Sequence, residues 1–186
     1  MRSGEGIWRS IAKAAMINGD ELTRGLSPEK LRYLFITHLH EDHTVGIPSL
    51  LLNPFKLDIA TSKEIYGPKG IENMVAHIVA AWAIDIDEAI FDGYDPEGGR
   101  ATGHEILFDK SGGVYKDNSV IVEAFRTKHG PLADTFAYRF STGERVIVFT
   151  SHRVYLRELQ MRQTLKCSFY RMRKTTTIVK NTILWG

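Results

Sequence analysis

The sequence is poor in cysteine, in long apolar runs and, towards its end, in acid. Cys167 is the single cysteine of 186 residues, so an intramolecular disulfide framework is excluded and a reducing compartment is the expected setting. No stretch approaches the ~20 consecutive apolar residues of a membrane span. Arg2, Glu5 and Arg9 interrupt the start, where a secretory leader would need an unbroken apolar core. The expectation is a cytoplasmic protein with no membrane partner. None of the seven histidines lies beyond His152, and Glu158 is the only acidic residue after Thr150. Residues 1–150 carry 16 Lys and Arg against 21 Asp and Glu, whereas residues 151–186 carry eight against one. That break in charge divides the chain into a domain over 1–150 and a basic tail over 151–186.

With 43% hydrophobic and 25% charged residues, the remainder has ordinary globular composition and length enough for one core. Ile7, Trp8, Ile11, Ala14 and Ala15 recur at helical spacing within 5–18, and Gly19 ends the run. Ser27 followed by Pro28 is a helix-start signal. The apolar run 31–37 reads as a strand covered on both faces. A helix is expected from Thr44 to Leu52, closed by Pro54, then a short alternating strand over 56–61 and a helix from Ile71 to about Ile84. The acidic, glycine-rich stretch 85–100 reads as a loop. Strands are expected at 104–109, 119–126, 135–141 and 145–150, with turns at Ser111-Gly112-Gly113 and Thr142-Gly143.

The chemistry concentrates in His38-Leu39-His40-Glu41-Asp42-His43, four candidate metal ligands in six residues on a strand-to-helix loop. Imidazole and carboxylate suit a borderline ion such as zinc, and loops held by a sheet are where catalytic groups usually sit. The plain alternative is a histidine-rich loop. His129, in Lys128-His129-Gly130-Pro131, has the same strand-end setting and supplies a natural third imidazole. Glu41 should be solvated, and His77 reads as a surface or packing residue. The turn Gly67-Pro68-Lys69-Gly70 could offer backbone N–H groups to a phosphate, although such sequences are more often plain turns.

His38, His40, Asp42 and His43 form a His-x-His-x-Asp-His motif, and the strings THLHEDHTVGIPSLLL, IYGPKGIENMV, GGVYKDNSVIVEAF and KHGPLADTFAYRF accompany it. Together these resemble the metallo-β-lactamase superfamily, in its ribonuclease Z-like and arylsulfatase-like branch, over about residues 4–150. The resemblance implies an α/β fold, an αββα sandwich, here incomplete, with two metals at one edge. His38, His40 and His129 would hold one metal; Asp42 and His43 would help hold a second, with Asp42 also the proton acceptor. Zn2+, one or two per chain, or Mn2+, is the implied cofactor. The implied activity is hydrolysis of a phosphodiester or related ester by water activated on the metal, with RNA or a small-molecule ester as substrate.

The sequence departs from that pattern in three places. The glycine-rich strand pair that opens family members is absent, so a sheet edge is expected to be uncovered, where a second copy could pair. The Gly-Asp-Thr whose aspartate bridges the metals is replaced by Ser151-His152-Arg153, and an imidazole at His152 cannot bridge two cations as a carboxylate does. The tail supplies no final histidine ligand. Its basic composition suggests RNA phosphates as partners, or else a divergent or misread segment. A remnant with at most one zinc is the second reading of the whole chain.

Overall fold

The computed structural model describes residues 6–17, 25–107, 112–150, 178–180 and 183–185. Along them run α1 (Ile7–Ile17), β1 (Tyr33–Phe35), α2 (Glu41–Thr44), α3 (Ile47–Phe55), β2 (Lys63–Gly67), α4 (Ile71–Ala81), α5 (Ala83–Phe91) and β3 (Ala101–Glu105). β4 (Gly112–Lys116), β5 (Ile121–His129), β6 (Leu132–Ser141), β7 (Val146–Thr150), β8 (Ile178–Lys180) and β9 (Ile183–Trp185) follow. One sheet has the order β3-β2-β1-β9, with β1, β2 and β3 mutually parallel and β9 antiparallel to β1. The other has the order β4-β5-β6-β7-β8, antiparallel as far as β7 and parallel from β7 to β8.

Alternation along β1 and β2 assigns each side chain a layer. Leu34, Ile36 and Ile65 join Ile7, Ile11, Ile47, Leu50, Ile71 and Val75 in an aliphatic core beneath the helices. Phe35 points the other way, into an aromatic core with Phe136, Tyr138, Phe140 and Val122 of the second sheet and Val120 just before β5. The fold is therefore the expected α/β sandwich of a parallel and an antiparallel sheet. Among the described residues, helices cover the first sheet only.

Several local expectations need correction. Residues 56–61 form no strand: α3 runs through Pro54 to Phe55, Lys56 N–H donates to Leu52 O at 2.9 Å, and the strand starts at Lys63. A proline near a helix end removes only one intrahelical donor, which the chain tolerates there. The stretch 85–100 is not all loop. Its first part is α5, whose Ile86 and Ala89 are buried against Phe55, and a helical turn at Pro96–Gly99 follows. The long helix expected to Ile84 breaks at Trp82, with φ −110° and ψ 18°. Gly112 and Gly113 lie within β4 rather than in a turn. Ser27 stands at the start of a single 3-10 turn and makes no side-chain cap. β9 from the tail pairs with β1 through Tyr33↔Trp185, Leu34↔Leu184 and Phe35↔Ile183, which leaves β3 and β9 as the edges of this sheet among the described residues. No helix among the described residues is long and apolar enough to cross a membrane.

Candidate metal centre

β1 ends at Phe35, and the next residues are held in place from both sheets. Ile36 N–H donates to Tyr66 O at 2.8 Å, the Tyr138 hydroxyl donates to Ile36 O at 2.7 Å, and Phe136 N–H donates to Thr37 O at 2.8 Å. Tyr138 is buried, and burial raises its phenol well above the usual value, so it acts as a fixed donor. The loop carrying His38 thus starts from a clamped backbone. α2 then begins directly after His40. Thr44 Oγ1 and the His43 N–H both donate to His40 O, at 3.0 Å each.

His38 is fully buried, and Thr37 Oγ1 lies 3.0 Å from its Nδ1. A hydrogen bond to one ring nitrogen fixes the ring plane and leaves Nε2 for the cluster. His129 arrives from the far sheet at the end of β5. The β5–β6 register shifts between Thr127 and His129, and Gly130 turns with φ +56°. A bulge of this kind re-aims the side chain at a strand end. Below it, buried Thr127 and Thr135 are joined through their hydroxyls at 3.0 Å, and Thr135 Oγ1 also donates to Thr127 O.

These elements gather His38, His40 and His129, one ligand nitrogen from each lying within 4.8 Å of the others. His40 Nδ1 and His129 Nε2 are 3.3 Å apart, close to the ~3.4 Å that tetrahedral zinc with ~2.05 Å bonds would demand. Three convergent imidazoles, one oriented from behind, fit a zinc-type ion. The expected trio is therefore brought together. Asp42 and His43 stand differently. His43 is buried, its ring centroid 4.1 Å from that of His38, while Asp42 is half exposed with Oδ2 at 3.5 Å from His43 Nε2. Neither joins a group of three or more ligands among the described residues. Glu41 is exposed, as expected. His77 is exposed, with Nδ1 2.6 Å from Asn73 O on its own helix. His152 lies outside the described residues.

The Gly-Pro turn has a different role from the phosphate cradle considered above. Gly70, with φ +100°, donates its N–H to Glu105 Oε1 at 2.6 Å. A carboxylate of β3 thereby occupies the N-terminus of α4, where an external anion would sit. Two further features escaped sequence reasoning. Thr37 could have been noticed only as the hydroxyl next to the first ligand. Lys63, at the start of β2, is buried with no hydrogen-bond partner for its ammonium. Burial, followed by the Arg32 charge, pulls its pKa down to about 8, with Glu29 opposing.

The profile of the metallo-beta-lactamase superfamily matches residues 6–152. The chain belongs to that superfamily. Among its relatives, ribonuclease Z of Nanoarchaeum equitans is 40% identical over 62 residues, covering 33% of this chain and 20% of the relative. Ribonuclease Z of Bacillus cereus is 28% identical over 118 residues, covering 63% of this chain and 34% of the relative. The crystal structure of human tRNase Z, short form, superposes with a TM-score of 0.55 at 22% identity, over 79% of this chain and 55% of that one. This likeness supports the superfamily fold. The matches span 20% and 34% of the two ribonucleases and about half of the human structure.

Proposed function

We propose that the chain is a metal-dependent hydrolase of phosphodiesters, with RNA as the substrate class suggested by its ribonuclease Z relatives. The observation that carries this reading is the convergence of His38, His40 and His129 within 4.8 Å at the edge of the sandwich. Zinc held there would act as a Lewis acid on a phosphoryl oxygen and acidify water near neutral pH. The chain's own groups do the rest. Thr37 holds the His38 ring in one plane. The bulge before His129 sets the third imidazole against the other two. Asp42, half exposed beside His43, would accept a proton from an entering water. His43 and Asp42 are the pair around which a second ion would be built.

The test is zinc counting and turnover on the same sample. One or two equivalents of zinc per chain, hydrolysis of bis-p-nitrophenyl phosphate and cleavage of a precursor tRNA are expected. His129→Ala should remove both metal and turnover. A chain that binds zinc yet turns over neither substrate would defeat the hydrolase reading. The second reading, a remnant with one metal, is favoured by a specific observation: Asp42 and His43 stand outside the three-ligand group. One equivalent of zinc with no turnover is the result it requires.

A further inference from the structure

Phe35 on β1, Tyr66 on β2 and His104 on β3 occupy one register row of the first sheet, paired as Phe35↔Tyr66 and Tyr66↔His104. Their side chains form a ladder across three strands. The Phe35 and Tyr66 rings are 5.1 Å apart and inclined by 15°, and the Tyr66 and His104 rings are 4.5 Å apart and inclined by 18°. The ladder ends at His104 because β3 is the last strand of the sheet. His104 is held flat by its neighbours: its Nε2 is 2.6 Å from Glu64 Oε2, and Arg32 reaches the other Glu64 oxygen at 3.5 Å. Its side chain remains 37% exposed.

Beside this last ring lies a cavity of about 270 Å³, lined by Tyr66, His104, Glu105, Ile106, Leu107 and Val114. That volume is at the small end for ligand pockets, so it suits one heterocycle rather than a whole nucleotide. Flat rings at stacking distance select a flat guest. The nearby charges are the carboxylates of Glu64 and Glu105 and the Arg32 guanidinium that pairs with Glu64, so the cavity admits the ring of a nucleotide while its phosphates stay outside. The outer edge of β3 faces no strand among the described residues; its Glu105 N–H donates to Glu72 Oε1 at 3.4 Å, so it is chiefly carbonyl groups that a heterocycle's polar rim would meet. An aliphatic guest would use neither feature.

The position ties this cavity to the metal centre. β1, β2 and β3 are parallel, so their C-terminal ends share the edge where His38 follows Phe35 by three residues. His38 follows three residues after the Phe35 end of the row, and β3 lies two strand spacings, ~10 Å, across the sheet, so one bound RNA strand spans both.

We infer that the open end of the Phe35–Tyr66–His104 ladder is a stacking subsite for a single unpaired base of the RNA substrate. The inference rests on the proposed hydrolase reading for its substrate but not for its geometry. It is tested on the full chain, without metal, by titrating adenosine and uridine and following the base protons and the His104 ring protons by NMR. Saturable upfield shifts are expected in both, because stacking tolerates any base. His104→Ala should weaken binding by about tenfold, the scale of one lost base stack, and His104→Phe should restore it by returning a flat ring. Phe rescue separates stacking from a mere folding defect. Ribose 5-phosphate should leave the His104 signals unmoved.

The inference falls if the nucleosides bind without moving the His104 ring, or do not bind. It also falls if N-acetylphenylalanine amide is taken up through His104 and the nucleosides are not, which would make the ladder end a peptide site. Zinc-loaded chain gives the separating arm. Turnover of precursor tRNA with a KM unchanged by His104→Ala would overturn the subsite while the hydrolase stands. Nucleoside binding rescued by Phe in a chain without turnover would leave the subsite standing and remove the hydrolase.

Discussion

His38 and Lys63 are both polar side chains buried almost completely, with 0% and 4% exposure, at opposite ends of the paired strands β1 and β2. At the C-terminal end, His38 is bonded from behind by Thr37 and meets two further imidazoles. At the other end, Lys63 has no hydrogen bond, and the nearest charges are Arg32, which repels it, and Glu29, which is too far for an ion pair. Burial of a polar group is costly unless partners compensate. One end of the sheet therefore organises that cost around a ligand position, and the other end simply carries it.

The sharpest way to break that contrast is to remove an imidazole. His38→Ala should abolish stoichiometric zinc binding, read by competition with a chromogenic chelator, because two ligands cannot close a catalytic zinc site. If His38→Ala keeps wild-type zinc affinity, the C-terminal end is not the organised one. Thr37→Val keeps the shape and deletes only the oriented hydrogen bond. Zinc affinity should fall about 10–100-fold, the usual loss for such a supporting group, with the thermal midpoint of the metal-free chain little changed. An equal loss of metal-free stability would instead make Thr37 a packing residue.

At the other end the sign reverses. An unfolded lysine titrates near ~10.4, and folded Lys63 near about 8. Between those values the unfolded chain binds the proton and the folded chain does not, so stability should rise as pH increases from about 8 to ~10.4. Below pH 8 the full penalty applies. Lys63→Met should therefore stabilise the chain at pH 7 by on the order of 2 kcal/mol, after allowance for solvent screening, and should flatten that alkaline rise. Urea titrations at pH 7 and pH 9.5 read both effects. A destabilised Lys63→Met would mean that the ammonium has a compensating role and that the two ends are alike.

The histidine end was legible in the sequence because its ligands are nearly contiguous. Four fall in six residues, and His129 announces itself by its strand-end glycine and proline. The sandwich came from the resemblance that those histidines carry, and the alternating segments of β5 and β6 with the apolar run of β1 marked its strands. What escaped depends on distance along the chain. Lys63 looks like a polar residue on an alternating strand, and only the helices above it make it buried. Phe35, Tyr66 and His104 are each about 30–40 residues apart, so no local pattern could reveal their row. Residues 56–61 mimic a strand because Leu57 and Ile59 alternate with polar residues, while α3 continues into Phe55 to fill the space over α5. Acidic composition hid α5, although Ile86 and Ala89 at i and i+3 give it a buried face.

Glu105 offers the finest test, because it lies at the same end of the sheet as the histidines yet compensates its own surroundings. Its carboxylate accepts the Gly70 N–H at the start of α4, a position where negative charge interacts favourably with the helix dipole. Glu105→Gln keeps an oxygen for that bond and removes only the charge. The cost should be about 0.5 kcal/mol and should shrink as salt is added, since the lost term is electrostatic. Glu105→Ala, by contrast, vacates the position, so inorganic phosphate should raise the thermal midpoint of Glu105→Ala more than that of the parent chain. Equal phosphate responses would mean that Glu105 is not standing where an anion would, and that the turn at Gly67-Pro68-Lys69-Gly70 is a connection and nothing more.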